Sequence, residues 1–269
     1  FIKRNKTKSK NKIQNLIIMD YQESFEKSRI AGSIAAGALD EVAKIIKPGI
    51  STDEVDKVCY EFINDHNAYS APLFYRGFPK SCCTSTNHVV CHGIPSQKIL
   101  NEGDIINVDV TAYKDKWHGD TSRMFKVGKI SVKAEKLINT TYESMMKAIK
   151  IVKEGIHLGD IGSTIQEYVE GEGFSVVEDF CGHGIGQTFH KEPNILHYGK
   201  KGTGEKIKTG MIFTIEPMIN LGNYETKTLN DGWTAVTKDK SLSAQFEHTI
   251  GVTNNGYEIF TQSKNSIKN

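Results

Sequence analysis

No stretch of this chain holds enough consecutive apolar residues to cross a bilayer as a helix, which takes about 20. A membrane role through such a span is not expected. Cysteine is scarce as well: Cys59, Cys82, Cys83, Cys91 and Cys181 are odd in number and lack paired Cys-x-x-Cys spacing. That pattern argues against both a disulfide framework and a zinc finger, and it suits a reducing compartment. An excess of either charge is missing too, because the formal net charge is only +2 over 269 residues. A general role on DNA or RNA is therefore not implied. The local exception is residues 1–19, where Lys3, Arg4, Lys6, Lys8, Lys10 and Lys12 occur without one acid. Residues 1–20 read as a basic, disordered, solvated tail, with an RNA contact or the remnant of an organellar leader as alternatives. The cytoplasm is the expected compartment, or an organelle if the basic segment is such a remnant.

What is present is a 38% apolar composition, enough to bury a full core as one large domain or two fused halves. From Glu23 to Ile46, apolar Ile30, Ile34, Ala38, Val42 and Ile46 recur every four positions, predicting an amphipathic helix that stops before Pro48-Gly49. A second helix starts at Ser51, with Glu54 completing a capping box. Lys47-Pro-Gly-Ile50 then returns as Lys153-Glu-Gly-Ile156, an offset of 106. At that offset Val55 matches Ile161, Cys59 matches Ile165, Phe62 matches Tyr168 and Ile63 matches Val169. The repeat suggests two related halves, each of two helices followed by strands, with Asp109 and Glu216 brought near each other one residue out of step.

The segment from Ile105 to Phe125 reads as a β-hairpin. With Lys114-Asp115 as a two-residue turn, Asp109 falls directly opposite Asp120 on one face, about 5 Å apart at Cβ. Like charges so placed repel, so either one carboxylate keeps a proton or a cation sits between them. Two further acids lie in apolar strands: Glu216 in Gly210–Pro217 and Glu247 in Ser243–Val252. A lone Glu in such a strand is expensive unless paired. His183 sits in a loop, Cys181-Gly-His-Gly-Ile-Gly186, whose glycines would let backbone and imidazole approach a ligand closely. Four carboxylates and one imidazole suit Mn, Fe, Co or Zn better than calcium, which prefers oxygen alone. His92, at a turn after a short apolar strand, and His190, seven residues beyond His183, are candidates to hold a carbonyl oxygen or a departing amine beside such ions.

Six motifs in order, His92-Gly-Ile-Pro, Asn107-Val-Asp-Val, His118-Gly-Asp-Thr-Ser-Arg-Met-Phe, Cys181-Gly-His-Gly-Ile-Gly, Phe213-Thr-Ile-Glu-Pro-Met and Ser241-Leu-Ser-Ala-Gln-Phe-Glu-His-Thr, resemble type 1 methionine aminopeptidases. The likeness runs from Tyr21 to Thr261. It implies the pita-bread fold, an α/β (α+β) arrangement of pseudo-two-fold halves with a curved antiparallel sheet covered by helices. A single catalytic domain over 21–263 and a C-terminal tail over 264–269 follow. It further implies two divalent ions, bridged by Asp120 and Glu247, with Asp109 completing one and His183 and Glu216 the other. Glu216 would be the general base, His190 would contact the scissile carbonyl, and His92 would lie near the product's new amine. The walls of a methionine slot would be Tyr75, Phe78, Cys83, His92, Phe189, His190 and Trp233. The implied partners are nascent polypeptide N-termini, with ribosome association left open, and a monomer is expected. Catalytically inactive binding modules of the same fold, and prolidase-like aminopeptidases, are the competing classes.

Overall fold

The computed structural model describes residues 21–263, so the expectations for residues 1–20 and 264–269 lie outside the described residues. Helix α1 (Ile2–Ile45), described from Tyr21 onward, is followed by α2 (Thr52–Asp65). The first half continues with strands β1 (Tyr69–Ser70), β2 (Cys83–Thr86), β3 (Val89–Cys91), β4 (Ile105–Lys114) and β5 (Trp117–Lys126). The second half opens with α3 (Val132–Ile151) and α4 (Leu158–Gly171), then β6 (Ser175–Val176), β7 (Gly182–Gly184), β8 (Lys191–Ile195) and β9 (Ile212–Ile215). The chain ends through β10 (Met218–Asn220), β11 (Thr226–Thr228), β12 (Ala235–Thr237), β13 (Ser243–Gln245), β14 (Glu247–Thr253) and β15 (Gly256–Ile259).

Among the described residues the main sheet has nine antiparallel strands, in the order β1-β4-β5-β14-β9-β7-β8, with β2 beside β4 and β15 beside β14. The join β5-β14 is the seam of the two halves. Alternation in β4 explains the layering. Ile106, Val108, Val110 and Ala112 pack with Val42, Val55, Cys59 and Ile63 of α1 and α2, while Asn107, Asp109 and Thr111 point to the other face. A second core joins Ile149, Ile161, Ile165 and Val169 of α3 and α4 to Phe213, Ile215, Ile250 and Val252. The helices therefore cover one face of the curved sheet, and the opposite face is free for polar groups.

The predicted repeat is present in three dimensions. Helices α2 and α4 are each 14 residues long and begin at Thr52 and Leu158, 106 apart. Their matched pairs Val55 and Ile161, Cys59 and Ile165, and Ile63 and Val169 are all fully buried. Gly49 (φ 95°) and Gly155 (φ 92°) hold the same left-handed conformation before each helix. The extra residue enters afterwards, since Gly103 and Gly210 occupy equivalent turns, donating to Val127 O and Val252 O, at a separation of 107. Asp109 and Glu216 share that separation, which accounts for the single-residue slip.

Three local expectations need correction. The β4-β5 turn is Asp115-Lys116, not Lys114-Asp115, and Lys114 pairs with Trp117. Both turn residues have positive φ, 48° and 69°, the mirror-image turn that matches strand twist. Asp109 therefore faces Ser122 and Asp120 faces Thr111. A shift of two keeps the face, so the two acids are diagonal neighbours rather than directly opposite. Ile30 of α1 is 37% exposed, whereas the expected Ile34, Ala38 and Val42 are buried together with Phe25, Ala31, Ala35 and Leu39. Four residues advance a helix by about 400°, so a strict four-residue repeat drifts off the core by about 40° per step. Finally, the Ser243–Val252 run is broken at Phe246 into β13 and β14, which belong to different sheets.

Candidate metal centre and substrate cleft

The free face of the sheet gathers the acids. Asp109 and Asp120 come from the hairpin, Glu247 opens β14 opposite Ser122, and Glu216 stands just past the end of β9. His183 lies in the three-residue strand β7 rather than in a loop. Its flanking glycines are required by packing: a Cβ on Gly182 would lie 2.5 Å from Thr214 O, and one on Gly184 2.3 Å from Glu192 O. Glycine lets β7 lie that close to its neighbours, and this brings the imidazole to the cluster.

His183 Nε2 is 3.6 Å from Asp120 Oδ2 and 3.6 Å from Glu216 Oε1. Ligand atoms of Asp120, His183 and Glu247 all lie within 4.8 Å of one another. Buried hydroxyls and amides orient the carboxylates. Thr111 Oγ1 donates to Asp120 Oδ1 at 2.7 Å, Thr214 Oγ1 to Glu216 Oε1 at 2.7 Å, and Gln245 Nε2 to Glu216 Oε2 at 3.3 Å. The backbone N–H of Glu216 donates to His197 Nε2 at 3.1 Å, and burial keeps that imidazole neutral by lowering its pKa to about 3.

The electrostatics of the cluster are strained. Burial, then the charges of Asp120 and Glu216, push the Asp109 carboxyl well above the usual range. Burial and the charges of Asp120, Glu216 and Asp109 do the same to Glu247. Burial raises Glu216 to about 7, against the opposing pull of His183 and the Thr214 hydrogen bond. For His183 burial disfavours charge, but the Asp120 hydrogen bond and Glu216 outweigh it and raise its pKa. Among the described residues no Lys or Arg forms an ion pair with any of the four carboxylates, and Glu247 Oε1 is buried without a hydrogen-bond partner. Such a set asks for positive charge, and hard carboxylates with one borderline imidazole fit divalent transition ions.

Aromatic side chains wall the space beside the cluster in two groups. Tyr75 packs on Phe189 (ring centroids 4.9 Å apart), and its hydroxyl meets His190 Nδ1 at 3.0 Å; the His190 ring lies 4.2 Å from that of His183. Opposite, Phe78 meets Trp233 edge-on at 5.2 Å, and His92 lies 6.3 Å from Trp233. Cys83 pairs with Asp109 across the β2-β4 ladder, and burial raises its thiol pKa so that it stays a neutral, apolar wall. Ring contacts thus tie Tyr75, Phe189 and His190 to His183, and Phe78 to His92 through Trp233, while Cys83 stands across the ladder from Asp109. Burial lowers the pKa of His92, and burial together with His183 lowers that of His190 to about 4, so both rings are neutral near pH 7.

Several neighbours were not anticipated. His118 stacks on Phe189 at 5.3 Å and 13°, Phe180 closes on His92 at 5.6 Å, and Cys91, in β3 directly before His92, is buried close enough to feel Glu216 and Asp109. His118 and Cys181, next to Phe180, sit inside motifs already singled out, so adjacency was an available signal. Thr214 and Gln245 also lie inside those motifs, whereas Thr111 and His197 carried no signal, because a buried Thr or His looks the same in sequence whatever it supports.

The chain matches the model of metallopeptidase family M24 over residues 26–254, and it belongs to that family. Within it, the chain is 56% identical over 247 residues to a methionine aminopeptidase of Rickettsia prowazekii (strain Madrid E), spanning 91% of this chain and 95% of that protein. A methionine aminopeptidase of Escherichia coli (strain K12) is 54% identical over 244 residues, covering 90% of this chain and 92% of its own length. The crystal structure of the methionine aminopeptidase from Rickettsia prowazekii superposes with a TM-score of 0.89, covering 90% of this chain and 98% of that one. A prolidase from Pyrococcus furiosus, at 22% identity and a TM-score of 0.72 over 90% of this chain and 64% of its own, shares the fold alone.

Proposed function

We propose that this chain removes the N-terminal methionine from nascent proteins and peptides whose second residue is small. The observation that carries the reading is the convergence of Asp120, His183 and Glu247 within 4.8 Å, with Glu216 at 3.6 Å from His183, beside an aromatic slot. Asp109, Asp120, His183, Glu216 and Glu247 would together hold two divalent ions. Co, Mn, Fe or Zn suit this donor set. When bound, such ions lower the pKa of a water toward neutrality and polarise a carbonyl.

The chain's own residues supply the remainder. Glu216 takes the proton of the attacking water and passes it to the amine as the C–N bond breaks. His190 uses Nδ1 toward the Tyr75 hydroxyl, which leaves Nε2 to meet the scissile carbonyl oxygen as charge builds there. His92, neutral through burial, steadies the departing amine. Tyr75, Phe78, Cys83, Phe189 and Trp233 enclose a flexible thioether in apolar and aromatic contacts. The catalytic unit is residues 21–263 and acts as a monomer in the cytoplasm, with ribosome association as an added feature. No described helix is long and apolar enough to cross a membrane.

The deciding experiment is turnover of Met-Ala-Ser against an Ala-Pro peptide, with metal content measured on protein purified without chelator. Release of methionine alone, with two ions per chain, is expected. Equal cleavage of both peptides would move the chain to a prolidase-like activity, and no cleavage of either after ion reconstitution would leave a binding module.

A further inference from the structure

Glu216 is held by more than its carboxylate oxygens. Its N–H lies beyond the end of β9, and β7 pairs with β9 only at Gly184 and Phe213, so no strand carbonyl is recorded as its partner. The acceptor at that point is His197 Nε2, 3.1 Å away. Pro217 follows directly, and a residue before proline is confined to extended backbone. His197 is fully buried. Because Nε2 accepts, the ring hydrogen is assigned to Nδ1, and Nδ1 has no hydrogen-bond partner. An aliphatic side chain would fill the same space without stranding a donor. The contact to Glu216 is therefore the one polar interaction that this imidazole makes among the described residues.

We propose that His197 is a positioning residue, whose Nε2 fixes the backbone of Glu216 while Thr214 and Gln245 hold its two carboxylate oxygens on the cluster. The inference rests on the role given to Glu216 in the proposed function. Outer partners of a ligand matter because a carboxylate that can swing spreads its charge over several directions, of which only one suits an ion.

The test compares His197→Leu with His197→Gln, whose amide oxygen reaches the place of Nε2. Co2+ affinity by titration, the visible spectrum of the Co2+-loaded protein, and kcat and KM on Met-Ala-Ser are measured for each. His197→Leu is expected to weaken Co2+ binding roughly 10–100-fold, to shift the spectrum, and to lower kcat more than KM changes. His197→Gln should recover most of each quantity. If His197→Leu does not fold, His197→Asn, polar but too short to reach Glu216, takes its place. Wild-type Co2+ affinity, spectrum and kcat in the folded Leu or Asn protein would overturn the proposal, as would equal impairment by Gln. A Glu216→Ala protein that still binds Co2+ and turns over would remove the reading of Glu216 itself, and the inference with it.

Discussion

The two halves start from the same plan and diverge after their fourth strands, β4 and β9. Both place a left-handed glycine, a capped 14-residue helix and a glycine turn before a sheet strand. In the first half that strand reverses at once through Asp115-Lys116 into a ten-residue ladder, and both acids of the hairpin are delivered by one rigid element. In the second half the equivalent reversal is replaced by the excursion from Glu216 to Phe246, which carries β10 to β13 and Trp233. Glu216 is thereby left just outside β9 at the start of a detour, while Glu247 re-enters the sheet at its end, opposite Ser122. The lesson is that the hairpin presents two acids from one ladder, whereas Glu216, outside its strand, is held by the side chains of His197, Thr214 and Gln245.

The largest test of that comparison takes one ligand from each half. Asp120→Ala and Glu247→Ala should each abolish turnover of Met-Ala-Ser while circular dichroism stays unchanged, and wild-type-like turnover by either purified variant would defeat the assignment. The matched core positions probe how evenly the halves share stability. Ile165→Ala should cost about 2–5 kcal/mol in denaturant unfolding, as large-to-small changes in packed cores do. Cys59→Ala, which removes a single sulfur at the equivalent place, should cost less, and the reverse order would mean that the first core is the more tightly packed.

Acidity offers a third comparison, between metal-free and metal-loaded protein. Glu216 is raised from 4.5 to about 7, so the metal-free folded state holds a proton that the unfolded state has lost across that window. Its stability contribution is present below 4.5 and declines as pH rises to about 7, by on the order of 3 kcal/mol. Divalent ions displace that proton, so the rise in Tm on adding them should be larger at pH 7.5 than at pH 5. A metal-induced shift that is flat across this range, followed by calorimetry, would rule out the coupling. The smallest effect is expected at the caps. Ser51 accepts from Glu54 N and donates its own N–H to the Glu54 carboxylate, whereas His157 shows only the second bond, to Asp160. Ser51→Ala should therefore lower stability by about 1 kcal/mol, and His157→Ala by less.

Much of this was legible in the chain. Ser51 and Glu54 mark a helix start because their bonds are local, and the 106-residue repeat survived in pairs such as Cys59 and Ile165 because both fill the same kind of core position. The hairpin turn was placed one residue early because Asp115-Lys116 lacks the glycine that usually advertises positive φ. The stripe of α1 was misjudged at Ile30, where a four-residue repeat outran the helical period. The glycines on both sides of His183 suggest a loop in the sequence, whereas in the fold they mark strands packed too closely for a Cβ.

The sequence by itself determined which residue types face one another, because alternation, helical period and capping act over a few positions. It singled out Asp109, Asp120, His183, Glu216 and Glu247 as candidate ligands and carried the doubled architecture. Tertiary structure alone decided how those groups are held: the seam of β5 against β14, the splitting of β13 from β14, and the hidden partners Thr111, Thr214, Gln245 and His197. The seam and the bonds from Gln245 and to His197 join residues 19 or more positions apart, which no local pattern encodes; the Thr214–Glu216 and Thr111–Asp120 bonds are close in sequence, but they depend on the strand geometry that the fold imposes.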